Sequence, residues 1–525
     1  MICNGHDRHA GILLSISALP GRGGIGDFGA ASRQVLDQLA QAGFTQWLIL
    51  PLQPTGFGNS PYQAASAFAG SHYYISPQQL VDEGLLTQEE WDSACPSGRP
   101  DQVDYGFLHK TRRTLLKIAH RRWTEAGRQQ DPGFAAFCQE PEICHWLEDY
   151  ACYMAIKDSQ SDLPWFQWPL PLRTREPGAM HLWRQAHREE IEFWKFVQYL
   201  FFTQWDQLRA WAKRGGIQLV GDLPFYVALD SADVWAHPEL FFIHAEDGSP
   251  IFTGGVPGDS FSSKDRDWGN PAYRWEAHKA TGYQWWHRRM EMCCRMYDGV
   301  RMDHVIGFRK WYGIAKDGST SQWYDGPDAD DAPLTDQLAK IADRRGCFVI
   351  GEDLGKLPEG LQEHLANLGW ASMRVMQFAF CGKYGAKNNH LPFYHRKDMV
   401  VFTGTHDNPT LKEFLSGKTP EELSYMRLWL NSPVSDLHWA LIRGVYQSSA
   451  DRIFLPVQDL LELGADAMLV DQENYQNSWK WRLTETSVFS SGLAGYLRSL
   501  AIVTGRLEAG GSVFREALQQ MEGMV

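Results

Sequence analysis

The sequence predicts an α/β fold, a (β/α)8 TIM barrel with a large mainly helical insertion and irregular loop insertions over the C-terminal face of the barrel. Three observations lead there. Eight short β-branched or apolar runs alternate with helix-patterned segments, the signature of parallel strands joined by crossover helices. Acidic residues fall at or just beyond the ends of four runs, and in such a barrel those ends share one face. The stretch between the second and third runs is far longer than a crossover needs, so the barrel must carry extra structure there.

The first run, 12–16, leads into a glycine-rich turn. A helix follows over 28–40, with apolar residues at helical spacing and Gly43 beyond its end. The second run is 45–50. From 51 to 216 no barrel strand is readable, whereas helical patterns such as 146–156 are. The third run is 217–221, and the excursion from 224 to about 280, rich in Gly, Pro, Asp and aromatics, reads as irregular loops over one barrel end. The remaining runs are 298–302, 347–351, 373–378, 399–403 and 453–456. This divides the chain into a barrel start (1–55), a helical insertion packed on the barrel (56–216), the rest of the barrel (217–485) and a C-terminal helical segment (486–525). No repeat and no Ser/Gly or Pro linker suggests separable domains. A doubly wound open sheet alternates in the same way, and counting strands does not separate the two.

Composition excludes several classes. With 44% hydrophobic and 22% charged residues, collagen-like and disordered chains are ruled out. Fifty basic against 63 acidic residues leave a net charge of −13, which repels a nucleic-acid backbone. No apolar run is long enough to span a membrane, and the first apolar run reads as a strand and not a signal peptide. Nine cysteines without a C-x-x-C pair fit a reduced, cytoplasmic thiol set. The 22 Trp, 27 Phe and 19 Tyr, many beside polar residues, bring flat apolar faces suited to amphipathic ligands.

Motifs narrow the chemistry. Gly21-Arg22-Gly23-Gly24-Ile25-Gly26 matches a dinucleotide fingerprint, but the second strand ends Leu50-Pro51-Leu52-Gln53 with no acid for a ribose, so a tight turn is the better account. No histidine or cysteine spacing forms a metal site, and Ser60 lacks a nucleophile elbow. No cofactor is expected. The informative residues are Asp222, Asp303, Glu352 and Asp407, which close or follow the third, fourth, fifth and seventh runs. One acid after a strand is commonly a helix cap; four at one barrel end exceed what capping explains. Arg301, two residues before Asp303 on the same strand face, favours the carboxylate form of Asp303 and fits it as a nucleophile. Glu352, in Ile350-Gly351-Glu352 with few basic neighbours, suits a raised pKa and an acid role. Two such carboxyls are what glycosidic cleavage requires, with Asp407 beside His406 left to hold sugar hydroxyls. Structural ion pairs are the competing reading of the same residues.

Gly221-Asp222-Leu223-Pro224, 230–239, Trp268-Gly269-Asn270-Pro271, Arg301-Met302-Asp303-His304, Gly351-Glu352-Asp353-Leu354-Gly355 and Thr403-Gly404-Thr405-His406-Asp407-Asn408 together resemble the 4-α-glucanotransferase (amylomaltase, disproportionating enzyme) family. Flanking matches at 54–63 and 456–459 extend the resemblance over roughly 11–482. It implies a retaining α-glucan transferase with Asp303 as nucleophile, Glu352 as general acid/base and Asp407 as transition-state stabiliser. It further implies that Arg301, His406, Asp222, Tyr62, Trp268 and Asn270 line the sugar subsites and that Asp259 belongs to a loop over the cleft. Trp479 and Arg482 match a late motif. The implied substrates are maltooligosaccharides and α-1,4-glucans as donors, with glucose or maltodextrin as acceptor, for a monomer or weak homo-oligomer. Phe57 and Asn59 stand where many members have Tyr and Asp, Asp265-Arg266 replaces a Gly-Gln pair, and Pro409 stands where Asp is common. The nearest alternative is a retaining α-glucan hydrolase of related fold; a non-catalytic glucan-binding protein is a more distant one.

Overall fold

Short apolar strands close into a barrel when each buries one face inside and the other beneath crossover helices. The computed structural model shows eight strands doing so: β1 (His9–Leu13), β2 (Gln46–Leu48), β3 (Gln218–Leu223), β4 (Gly299–Met302), β5 (Phe348–Gly351), β6 (Ala371–Val375), β7 (Met399–Phe402) and β8 (Arg452–Pro456). All neighbours are parallel, and β1 bonds both β2 and β8, which closes the ring. The structure describes residues 8–56, 58–258, 264–316, 318–329, 332–382, 388–471 and 475–522.

Strand parity sorts the two faces. Leu48, Val220, Ile350, Val400 and Phe454 form a packed interior cluster. Their neighbours Trp47, Leu219, Val349, Val401 and Ile453 belong instead to the larger core shared with the surrounding helices. Two residues beyond Val220 and Ile350, the same parity delivers Asp222 and Glu352 to the mouth of the barrel. Gly221 between Val220 and Asp222 is required by close approach, since a Cβ there would lie 2.3 Å from the ring of Tyr297.

Two strands end earlier than the apolar runs suggest. Ile16–Ala18 and Met376–Phe380 wind into 3-10 turns after β1 and β6. Ile16, Ala18, Met376 and Phe380 are nevertheless buried, so the apolar pattern continues past the last ladder bond. The helix expected at 28–40 is Ala30–Gln41, with Val35, Leu36 and Leu39 buried. In the glycine turn a Cβ on Gly26 would fall on the carbonyl oxygen of Ile16, so this glycine serves close backbone packing.

Between β2 and β3 lie the long helices Tyr105–Glu125, Leu147–Ser159 and Arg188–Arg214, the last leading directly into β3. The excursion after β3 is more ordered than its composition suggests. Phe252–Val256 and Arg266–Pro271 join Lys310–Ala315 and Gln322–Asp325 in a four-stranded antiparallel sheet. Helices Ser491–Val503 and Gly511–Glu522 pack on each other at the C-terminal end. Among the described residues no helix is long and apolar enough to cross a membrane.

Candidate active site

The register of β3 against β4 sets Asp222 opposite Arg301. Arg301 Nη1 donates to both carboxylate oxygens of Asp222, at 2.9 and 2.8 Å, while its Nη2 lies 3.0 Å from Asp303 Oδ1. The Asp222 and Arg301 side chains are essentially sealed, at 0% and 4% exposure, whereas Asp303 keeps 28% and opens to the cleft. Burial works against a charged Arg301, but Asp222 and then Asp303 outweigh it and hold the guanidinium pKa well above its ordinary value. A permanent cation therefore orients the Asp303 carboxylate.

Glu352 closes the neighbouring strand, where its own N–H bonds Met302 O at 2.9 Å. Its carboxyl oxygens accept N–H bonds from His304 (2.9 Å) and Leu354 (3.1 Å). Burial pushes its pKa up to about 8, with Arg301 opposing and Asp303 reinforcing the shift. Asp303 and Glu352 thus stand side by side at one barrel end in unlike surroundings. His304, which links them, has φ 45°, a left-handed conformation costing about 1–2 kcal/mol for a side-chain-bearing residue. This strain aims its N–H at Glu352.

The loop after β7 brings the third acid. His406 Nε2 lies 3.3 Å from Asp407 Oδ2, and the Asp407 side chain is 60% exposed in the cleft. Burial, aided by Arg301, pushes the His406 pKa down to about 4, so at neutral pH the ring beside Asp407 is uncharged. Tyr62 stacks on His406 with centroids 5.1 Å apart and donates its hydroxyl to Asp222 Oδ2 at 2.8 Å. Trp479 completes this wall, 5.9 Å from Tyr62 and 6.0 Å from His406. The other residue of that late motif, Arg482, lies elsewhere: it donates to the carbonyls of Leu19 and Gly21 and ties down the glycine turn.

Across the mouth lies the strand Arg266–Pro271, which carries Trp268 and Asn270. The Trp268 ring meets His304 edge-on at 4.9 Å, and Asn270 Nδ2 donates to Val227 O at 2.8 Å. Gln63 joins these residues to the Tyr62 wall by donating to Trp268 O (2.9 Å) and Asn270 Oδ1 (2.8 Å). Asp259, the last sequence candidate, lies outside the described residues, as does Phe57. Among the described residues no group of three or more His, Cys, Asp or Glu is placed to hold a metal ion.

The sequence profile described as 4-alpha-glucanotransferase matches residues 14–487, a span that includes all of these side chains. The chain belongs to the 4-alpha-glucanotransferase family. It is 39% identical over 513 residues to the 4-alpha-glucanotransferase of Thermus thermophilus, covering 95% of this chain and 99% of that one. It is 33% identical over 500 residues to that of Clostridium butyricum, covering 94% and 100%. Among solved structures, the amylomaltase from Streptococcus agalactiae in complex with acarbose superposes with a TM-score of 0.87 at 31% identity, covering 95% of this chain and 100% of that one.

Within this 4-alpha-glucanotransferase fold, two contributors are not marked as site residues by the sequence. Gln63 stands beside Tyr62 at the end of the 54–63 motif, yet no sequence pattern ties it to Trp268. His304 acts at Glu352 through its backbone N–H, a function that needs no particular side chain and that no side-chain pattern reveals.

Proposed function

We propose that the chain transfers α-1,4-glucan segments from a donor maltodextrin to glucose or a maltodextrin acceptor by retaining double displacement. One observation carries the reading. On adjacent strand ends, Asp303 is salt-bridged to Arg301, while burial lifts Glu352 to about 8 and keeps it protonated at neutral pH. That is the division of labour between nucleophile and general acid.

Glu352 gives its proton to the glycosidic oxygen as Asp303 attacks the anomeric carbon; the bond to the leaving fragment breaks and a glycosyl-Asp303 ester forms. Loss of that proton leaves Glu352 as a carboxylate able to take one from an acceptor hydroxyl, which attacks the ester and frees Asp303. Asp407 and His406 hold ring hydroxyls as positive charge develops at the anomeric centre. Arg301 keeps Asp303 aimed, and Tyr62 and Asn270 fix the walls. The aromatic surfaces of Tyr62, Trp268 and Trp479 favour a sugar acceptor over water. The names of the relatives and the acarbose bound to the Streptococcus agalactiae amylomaltase support the same substrate class. Eight free cysteines among the described residues suit a reducing cytoplasm.

A time course with maltotriose, with and without added glucose, tests the reading. Transfer predicts glucose together with longer maltodextrins and little net gain of reducing ends. Only shorter sugars, with reducing ends accumulating, would make the chain a hydrolase.

A further inference from the structure

The motif at 456–459 takes no part in the proposed chemistry, yet it reaches the loop that carries His406 and Asp407. β8 ends at Pro456, and Val457–Leu460 follows as a single helical turn. That turn buries Asp459 to 1% exposure against the two ends of the 403–411 segment. Asp459 Oδ2 accepts from the Thr403 hydroxyl at 2.5 Å, and its Oδ1 accepts from Leu411 N at 2.7 Å. Thr403 directly follows β7. Leu411 opens the helix Leu411–Ser416, so its N–H is one of those that a helix cannot bond within itself. Thr403 and Leu411 are both fully buried, and water is no substitute partner for either donor.

Between these ends the loop bonds to itself. Asn408 Oδ1 accepts from Thr405 N (2.8 Å) and from the Thr405 hydroxyl (3.0 Å), and Asp407 N donates to Thr405 Oγ1 at 3.3 Å. Such a knot keeps its own shape, but where it stands is set by its anchors. On a second side Gln377 Nε2 donates to Pro409 O at 2.9 Å. Asp459 is itself held in place: His438 Nε2 donates to its carbonyl at 2.7 Å, and the neighbouring Gln458 Nε2 donates to Ala467 O at 3.2 Å. Burial raises the Asp459 pKa to about 6, against the pull of Thr403, Leu411 and His438, so at neutral pH it is a carboxylate that accepts at both oxygens.

We propose that Asp459 is a positioning residue for the reaction: one carboxylate clamps both ends of the 403–411 segment and so sets where Asp407 and His406 stand against the reacting sugar ring. The inference rests on the role proposed above for Asp407. Loss of the clamp should be felt in kcat more than in KM, because the Asp407 contact strengthens as charge develops on the ring.

The test measures maltotriose turnover per folded enzyme, with melting recorded for every variant. Asp459→Ala should lower kcat about 10²-fold and leave KM within about threefold of the wild type. Asp459→Asn keeps an oxygen for Leu411 N and offers its amide to the Thr403 hydroxyl, and should regain about tenfold of that loss. Thr403→Val is the milder change should Asp459→Ala fail to fold; it removes one of the two bonds and should cost about tenfold in kcat. The deciding readout is a double-mutant cycle with Asp407→Asn, followed as fluoride release from maltotriosyl fluoride, whose leaving group needs no proton. If Asp459 acts through Asp407, Asp459→Ala should slow the Asp407→Asn enzyme by less than about threefold. A further loss of about 10²-fold in that background would overturn the inference, as would a lowered melting point with kcat of the folded enzyme unchanged. An Asp407→Asn enzyme at the wild-type rate would remove the role proposed for Asp407 and the inference with it. Fluoride release counts transfer and hydrolysis alike, so failure of the transferase reading, seen in the maltotriose products, is distinguishable from failure of the clamp.

Discussion

The ends of β4 and β5 carry the same functional group to the same place and treat it in opposite ways. Asp303 meets a guanidinium at 3.0 Å, whereas Glu352, likewise half-buried, accepts hydrogen bonds only from two backbone N–H groups. Backbone dipoles stabilise a carboxylate less than a full charge does, so burial dominates at Glu352 and lifts its pKa to about 8. In the proposed mechanism neighbouring strands divide one chemical type into an acid and a nucleophile, a division that would rest on a single cation, Arg301, being aimed at one carboxyl.

The comparison breaks most sharply at Asp303. Asp303→Asn should lower kcat for maltotriose disproportionation by about 10⁴-fold or more with the fold retained, measured by product chromatography and melting. Arg301→Met should unbalance the fold as well, since it leaves Asp222 buried without its cation; a loss of about 3–5 kcal/mol in denaturant unfolding is expected. Glu352→Gln should cost about 10²–10⁴-fold in transfer. In the wild type kcat/KM should fall as pH rises above about 8, where Glu352 loses the proton it donates. The stability sign follows from the same shift. A folded pKa raised from 4.5 to about 8 gives a contribution that is complete below 4.5 and lost as pH rises through about 8. Glu352→Gln should therefore melt increasingly above the wild type as pH rises, in paired thermal scans. The smallest effect belongs to the Tyr62 wall. Tyr62→Phe removes one hydrogen bond to Asp222 and should cost about 1–3 kcal/mol in kcat/KM and stability combined.

Much of this contrast is legible in the amino-acid sequence. Alternation along β3, β4 and β5 places Asp222, Arg301, Asp303 and Glu352 on inward parity, and few basic neighbours around Glu352 point to its raised pKa. The antiparallel sheet is not legible, because Thr253-Gly254-Gly255 at its centre has no alternation of apolar and polar residues. Strand ends slip at Ile16 and Met376 because buried 3-10 turns carry the same apolar signal as the ladder. The Trp479 contact with Tyr62 joins parts of the chain more than 400 residues apart through a left-handed φ of 67°, which no local pattern encodes.

The raised pKa of Glu352 is tested most directly by titrating the carboxyls of ¹³C-labelled protein, with the Glu352 signal assigned by its loss in Glu352→Gln. The expected result is a Glu352 midpoint near 8, moving down when Asp303→Asn removes the adjacent negative charge. A Glu352 signal that titrates with ordinary carboxylates near 4.5, and is indifferent to Asp303, would contradict the division of roles between the two carboxyls.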